Sequence, residues 1–387
     1  MSSDKEFSVS TDARTLVSAI IENNNWDPIL GIKYFPGSQT GDGYTTKHIA
    51  VEITTSKEKI RLFIKCALDT NLAVIQSIVK FYPNERYFYD IVYPAYTEFL
   101  WKKKVEDCFR NVPKCYSTSS ENVIALENIK YKGFALFDRM KIMGDMHIRL
   151  VLRTIAKFHA VSFAFKDQDR EQYDKLVENC AGDFYSQQPE DSPILTLFYE
   201  IIKEALNKLD PENDKEILQK CDANALIGYV TSTTKSHNEY ADEDMMNPID
   251  IMIVDWQLFR SSSVVYDISH FFYTTAAEES LSKLQDYLEV YYAELSSEMK
   301  KLGSKPEILY PREIFEEEWR TLSKYGFTIA IVILKFMLSN QDEVLQIDKI
   351  DFDKTKEVEL FKKFDNEDAY IKRVKTLAQF MVDKGYI

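Results

Sequence analysis

The chain has 387 residues, of which 45% are apolar, enough to bury a large core and to form two lobes or domains, so a disordered chain is excluded. Its formal net charge of -14 argues against a nucleic-acid partner, because phosphate-backbone affinity needs clustered Lys and Arg that release counterions. The short basic run Lys102, Lys103, Lys104 reads as a solvated helix face. Cys66, Cys108, Cys115, Cys180 and Cys221 fall at irregular spacing with no CxxC pair, which fits free thiols in a reducing compartment.

The first residues, Met1 to Glu6, carry no apolar stretch of the signal-peptide kind. Residues 11 to 24 then offer Thr11 or Asp12 as a cap, followed by Leu16, Val17, Ile20 and Ile21 at helical spacing. Between about 30 and 67 the texture changes to alternating runs, His48 to Thr54 and Ile60 to Cys66, separated by polar turns that contain Gly41 and Gly43; these predict antiparallel strands. Residues 70 to 104 read as helix, and Val123 to Leu126 and Gly133 to Phe137 as two further strands.

Beyond this point the helical period dominates. Ile148, Val151, Leu152, Ile155, Phe158 and His159 share one face, and similar patterns recur through 170 to 220, 265 to 302 and 312 to 340. A strand-like pair, Ala225 to Val230 and Ile249 to Val254, interrupts them. The longest apolar run, Phe327 to Leu338, is too short to cross a bilayer and contains Lys335, so it reads as a buried helix. These features predict a cytoplasmic α+β protein with no membrane span. Residues 1–126 form a small antiparallel-sheet N-lobe and residues 127–387 a mainly helical C-lobe. The oligomeric state is not specified.

The polar residues that break these patterns carry the chemistry. Lys65 closes the apolar strand Leu62-Phe-Ile-Lys65, and Glu85 lies on the next predicted helix at a distance suited to an ion pair with it. Such a pair holds a lysine against the α- and β-phosphates of a nucleotide. The turn Gly41-Asp-Gly-Tyr-Thr-Thr46 permits close backbone approach to phosphates, because glycine lacks a Cβ. Asp255 ends the apolar run that starts at Ile249, where a carboxylate is costly unless something charged, such as a magnesium ion, satisfies it. Each of these residues also has an ordinary structural role open to it; the order glycine turn, strand lysine, helix glutamate, connector and strand aspartate is that of a protein-kinase-like phosphotransferase.

Over nearly its whole length the chain resembles the ecdysteroid kinase-like (CHK kinase-like) group of the choline kinase and aminoglycoside phosphotransferase superfamily. The resemblance rests on Gly41 to Thr46, Phe63-Ile-Lys65, Glu85-Arg-Tyr-Phe-Tyr89, Val112-Pro-Lys-Cys-Tyr116 and Ala125-Leu-Glu-Asn-Ile129 with Gly133-Phe134. It continues in Ile155-Ala-Lys-Phe-His-Ala160, Val254-Asp-Trp-Gln257, Tyr266-Asp-Ile268 and the tail from Tyr292 to Leu338. It implies a protein-kinase-like two-lobed fold with ATP and Mg2+ as cofactors and a small lipophilic alcohol, such as an ecdysteroid, as partner. By position it makes Gly41, Gly43 and Thr46 the phosphate loop, Lys65 the phosphate lysine, Glu85 its partner, Leu126 and Glu127 the adenine-binding hinge, and Asp255 the metal ligand. Asp267 and His159 take structural places. Aromatics such as Phe163, Phe165, Phe184, Tyr185, Phe271, Phe272 and Tyr273 suit an apolar ligand and an ordinary core equally.

The family's catalytic loop, His-Gly-Asp followed four residues later by Asn, has no direct counterpart. Counted back from Asp255 without a gap, Ala225-Leu-Ile227 becomes the preceding strand, Val230 stands at the catalytic aspartate and Lys235 at the Asn. Valine accepts no proton and lysine repels magnesium, so this register, the expected one, describes a pseudokinase that retains ATP or small-molecule binding. A second register places His237-Asn-Glu239 on the triplet and Asp244 on the Asn. It leaves Glu239 as base, Asp244 beside Asp255 as a metal ligand, and an active small-molecule kinase.

Overall fold

A computed structural model describes residues 8–26, 28–38, 46–68, 76, 79–105, 108–116, 122–180, 185, 187–189, 192–231, 248–340 and 364–387. The first helix, α1 (Thr11–Asn23), is capped by Ser10, whose Oγ accepts from the Ala13 N–H at 3.3 Å. The cap is therefore one residue earlier than expected, because Ser10 is the residue with extended backbone and a short side-chain acceptor. A helix of 13 residues is marginal on its own in water. Packing holds it, since each fully buried Leu, Val or Ile contributes about 1.5–3 kcal/mol, and Leu16, Val17 and Ile20 are all buried.

That face of α1 rests on a four-stranded antiparallel sheet of order β1 (Ile29–Pro36), β2 (Thr46–Thr55), β3 (Lys59–Ala67) and β4 (Val123–Glu127). Alternation sorts the strands into two faces. Ile49, Val51 and Ile53 of β2 join Ile60, Leu62 and Ile64 of β3 and Ala125 of β4 in the core beneath α1. In register, His48 lies opposite Lys65, and Lys65 opposite Ile124, so these side chains leave the sheet on its other face. Ile124 and Leu126 there belong to the core of the helical part.

The helices that follow the sheet's third strand are α2 (Tyr82–Tyr87), one π-turn (Phe88–Val92) and α3 (Tyr93–Lys103). After β4 come α4 (Asp145–Gln168), α5 (Arg170–Glu178), α6 (Pro193–Asn207), α7 (Lys215–Lys220), α8 (Ala223–Thr231), α9 (Val264–Thr275), α10 (Glu278–Ser282), α11 (Leu284–Lys301), α12 (Pro306–Leu309), α13 (Arg312–Leu322), α14 (Lys324–Leu338) and α15 (Glu367–Asp383). The sequence-derived α+β organisation, a small antiparallel sheet followed by a helical body, is the one the protein has. α4 packs along α11, and α9 along α14. Gly326 marks the second crossing: a Cβ there would lie 2.3 Å from the Ser269 carbonyl carbon, so only glycine allows the two helices to approach so closely. Phe165, Tyr185, Phe271, Phe272 and Tyr273 are core residues and Phe163 packs against that core. Among the described residues no single helix is long and apolar enough to cross a membrane.

Three expected strands differ. Gly133 to Phe137 forms no strand. Ala225 to Val230, expected to be a strand and the start of a loop, lies within α8, which opens with the Ala225 N–H donating to Asp222 Oδ1 at 2.9 Å. Leu226 and Val230, four residues apart, are both buried on one helical face. Short apolar runs fit either period, and the Asp222 cap decides for helix. Ile249 to Val254 is irregular, since its intended partner is helical. Asn111 takes the place of a neighbouring strand: the Ile253 N–H donates to its carbonyl at 2.7 Å, and its side-chain amide donates to the Ile251 carbonyl at 2.6 Å.

Candidate functional site

Where sheet and helical body meet, Lys65 projects from β3 toward two carboxylates. Its Nζ donates to Glu85 Oε2 at 2.7 Å and Oε1 at 2.9 Å, and to Asp255 Oδ1 at 3.1 Å. The Glu85 side chain is 0% exposed, that of Lys65 9% and that of Asp255 30%. One carboxylate is thus sealed into the protein while the other is partly open to solvent.

Burial pushes the Glu85 carboxyl above its ordinary range; the Lys65 ammonium and the Trp256 backbone N–H oppose this, while Asp255 adds to it. With all three groups ionised, one positive charge meets two negative ones, so the trio carries net -1. An anionic phosphate would be repelled by Asp255 unless a divalent cation came with it, and a half-exposed carboxylate beside a lysine is a donor set that suits such a cation. Among the described residues no group of three or more His, Cys, Asp or Glu could hold a metal. Magnesium is commonly held by one or two carboxylates together with substrate phosphates, and Asp255 would be such a carboxylate.

Asp255 itself sits at φ 65°, ψ 64°, the left-handed region that Asp and Asn tolerate better than other side chains. The turn after it, a short 3-10 helix Trp256–Leu258, is bound tightly to α2. Trp256 stacks on Phe88 with ring centroids 3.7 Å apart and planes at 9°. The Asn84 side-chain amide donates to the Gln257 carbonyl at 3.1 Å and also to the Phe259 carbonyl. Tyr82 donates to the Lys65 carbonyl at 2.8 Å. Thus α2 positions lysine, glutamate and aspartate together. Sequence reading gave no role to Tyr82, Asn84 or Phe88, although Phe88 lies within the Glu85 to Tyr89 motif.

Thr46, the first residue of β2, is buried on the same sheet face as Lys65. Leu126 and Glu127 end β4. Leu126 is buried within the ladder opposite Phe63, the Glu127 N–H donates to the Lys114 carbonyl at 2.8 Å, and the Glu127 carboxylate pairs with Lys132 at 2.7 Å. Gly41, Gly43, Lys235, Glu239 and Asp244 lie outside the described residues. Val230 is fully buried near the end of α8, so it does not stand on a loop as the gap-free register required. His159 bridges Asp267, 3.1 Å from Nε2, and the Tyr291 hydroxyl, 2.7 Å from Nδ1, joining α4, α9 and α11.

A lysine on a sheet, paired with a helix glutamate and facing an aspartate at the following cleft turn, is the arrangement of a protein-kinase-like phosphotransferase. The chain belongs to the ecdysteroid kinase-like family, whose model matches residues 40–241 and 238–304. Among solved structures it is similar to an ethanolamine kinase from Plasmodium vivax, at 12% identity and TM-score 0.42 over 98% of this chain and 91% of that one. It is also similar to a choline kinase from Cryptosporidium parvum, at 14% identity and TM-score 0.40 over 97% and 98%. A spectinomycin phosphotransferase solved with ADP and spectinomycin matches at 8% identity and TM-score 0.36 over 93% and 94%. No curated protein matches at a significant level.

Proposed function

We propose that the protein binds Mg-ATP across the Lys65, Glu85 and Asp255 cleft and catalyses phosphoryl transfer to a hydroxyl of a small-molecule alcohol. The observation that carries this reading is the buried Lys65–Glu85 pair with Asp255 at 3.1 Å from the same ammonium. In this role Lys65 contacts the phosphate oxygens, Glu85 fixes the lysine, Thr46 offers a hydroxyl on the same face and Asp255 holds the metal. The bound magnesium would supply neutralisation of the charge that develops on the phosphoryl oxygens. Membership of the ecdysteroid kinase-like family supports an ecdysteroid-like lipophilic alcohol as the acceptor.

In this reading Glu239 is the base and Asp244 a further metal ligand. One observation favours this register over the one with Val230 at the catalytic position: helix α8 runs through Thr231 with Val230 sealed inside.

The test pairs calorimetry of ATP with and without magnesium with a phosphorylation assay on hydroxylated steroids. Mg-ATP binding, turnover, loss of both in Lys65→Ala, and loss of turnover alone in Glu239→Gln are the expected results. Binding without turnover would return the pseudokinase, and no binding at millimolar nucleotide would overturn the reading of the cleft.

A further inference from the structure

One more side chain stands on the cleft face of the sheet and reaches Thr46. His48 lies opposite Lys65 in the β2–β3 register and two residues beyond Thr46, so all three side chains leave the sheet on one side. Its Nε2 is 2.8 Å from Thr46 Oγ1 and its Nδ1 is 2.9 Å from Ser38 Oγ. The ring packs against Phe63, centroids 5.0 Å apart. The chain crosses tightly beside it. The Gly37 N–H donates to the His48 carbonyl at 3.0 Å, and a Cβ on Gly37 would lie 2.8 Å from the His48 carbonyl carbon. Glycine at 37 is what lets Ser38 reach the imidazole.

A neutral imidazole donates from one nitrogen and accepts at the other, so the two hydroxyls must play opposite roles. With the proton on Nδ1, the ring donates to Ser38 and Thr46 spends its own proton on Nε2. With the proton on Nε2, the ring donates to Thr46, Ser38 donates to Nδ1, and the Thr46 proton is available to a third group. A phosphate oxygen only accepts.

We propose that His48 is a positioning residue that sets the Thr46 hydroxyl proton for a nucleotide phosphate, its Nε2-protonated tautomer being the one that binds. The proposal rests on the reading of this face as the phosphate side of a nucleotide site. A doubly protonated ring donates to both hydroxyls and serves the same end.

The test uses full-length protein labelled with 15N-histidine. With 5 histidines in the chain, a His48→Gln sample identifies the His48 resonances, and their nitrogen shifts report the tautomer. Addition of Mg-ADP is expected to move His48 toward protonation at Nε2. In calorimetry, His48→Phe keeps the ring volume and the Phe63 contact but loses both hydrogen bonds. Its Mg-ADP affinity is expected to fall about tenfold or more, the worth of one hydrogen bond to a charged group. His48→Gln, whose amide can still donate to Thr46, is expected to recover most of it. Wild-type binding with His48→Phe equally tight, or His48 protonated at Nδ1 alone in the Mg-ADP complex, would overturn this inference and leave the nucleotide reading standing. No binding by the wild type would overturn both.

Discussion

Replacing Lys65 by Met keeps an apolar stem of similar length and removes the ammonium from between two carboxylates. Glu85 is 0% exposed, so its charge would then be buried with no cation beside it and with Asp255 nearby. Breaking a buried pair from one side costs about 3–5 kcal/mol, against about 0–1 kcal/mol for an exposed pair. Ionised Glu85 escapes this cost by taking up a proton. Burial already pushes its carboxyl upward with Lys65 in opposition, and loss of the lysine pushes it further. A carboxyl raised in the folded state gives stability that is present in full below its unfolded pKa and is lost as pH rises through the folded one. The Lys65→Met deficit is therefore smallest near the unfolded glutamate value of about 4.3. It widens with pH by at most about 1.4 kcal/mol per unit, toward about 3–5 kcal/mol. Urea denaturation of wild type and variant across mildly acidic to neutral pH measures this, and Lys65→Met with Glu85→Leu should regain most of the loss. A deficit below about 1 kcal/mol at neutral pH, or one independent of pH, would refute the description of the pair as buried and mutually dependent.

Asp255→Asn keeps a side chain that tolerates the left-handed backbone while removing the charge. Calorimetry with and without magnesium should show nucleotide affinity that responds far less to the metal; a full magnesium response would refute the assignment. Gly326→Ala forces a Cβ to within 2.3 Å of the Ser269 backbone, an overpacking expected to cost about 1–3 kcal/mol or more, read as a lowered thermal midpoint. Burial pushes the Cys108 and Cys221 thiols up to about 11. Both should resist a thiol reagent in the native protein at mildly alkaline pH and react on denaturation; rapid native labelling of either would contradict their placement.

The strands 46–55 and 59–67 were legible because alternation has a period of two and one face is buried against α1. The long helices were legible because their apolar faces repeat at helical spacing. Ala225 to Val230 was not: six residues of apolar character fit both periods, and the Asp222 cap settles which one forms. That single difference also removes the strand on which the gap-free register depended. Asp255 was recognisable as a carboxylate ending an apolar run, but its extended approach is satisfied by Asn111, a residue remote in sequence.

The sequence by itself determined the α+β composition, the order of the polar residues and the identity of the charges, because propensity, period and residue chemistry are local. Only the tertiary structure decided that Lys65 meets both Glu85 and Asp255, that α2 clamps the turn after Asp255, and that His48 joins Thr46 to Ser38. Apart from the neighbouring pair Thr46 and His48, those contacts join residues 10 to 190 positions apart, and no local pattern encodes a distance that the packing of sheet on helix sets.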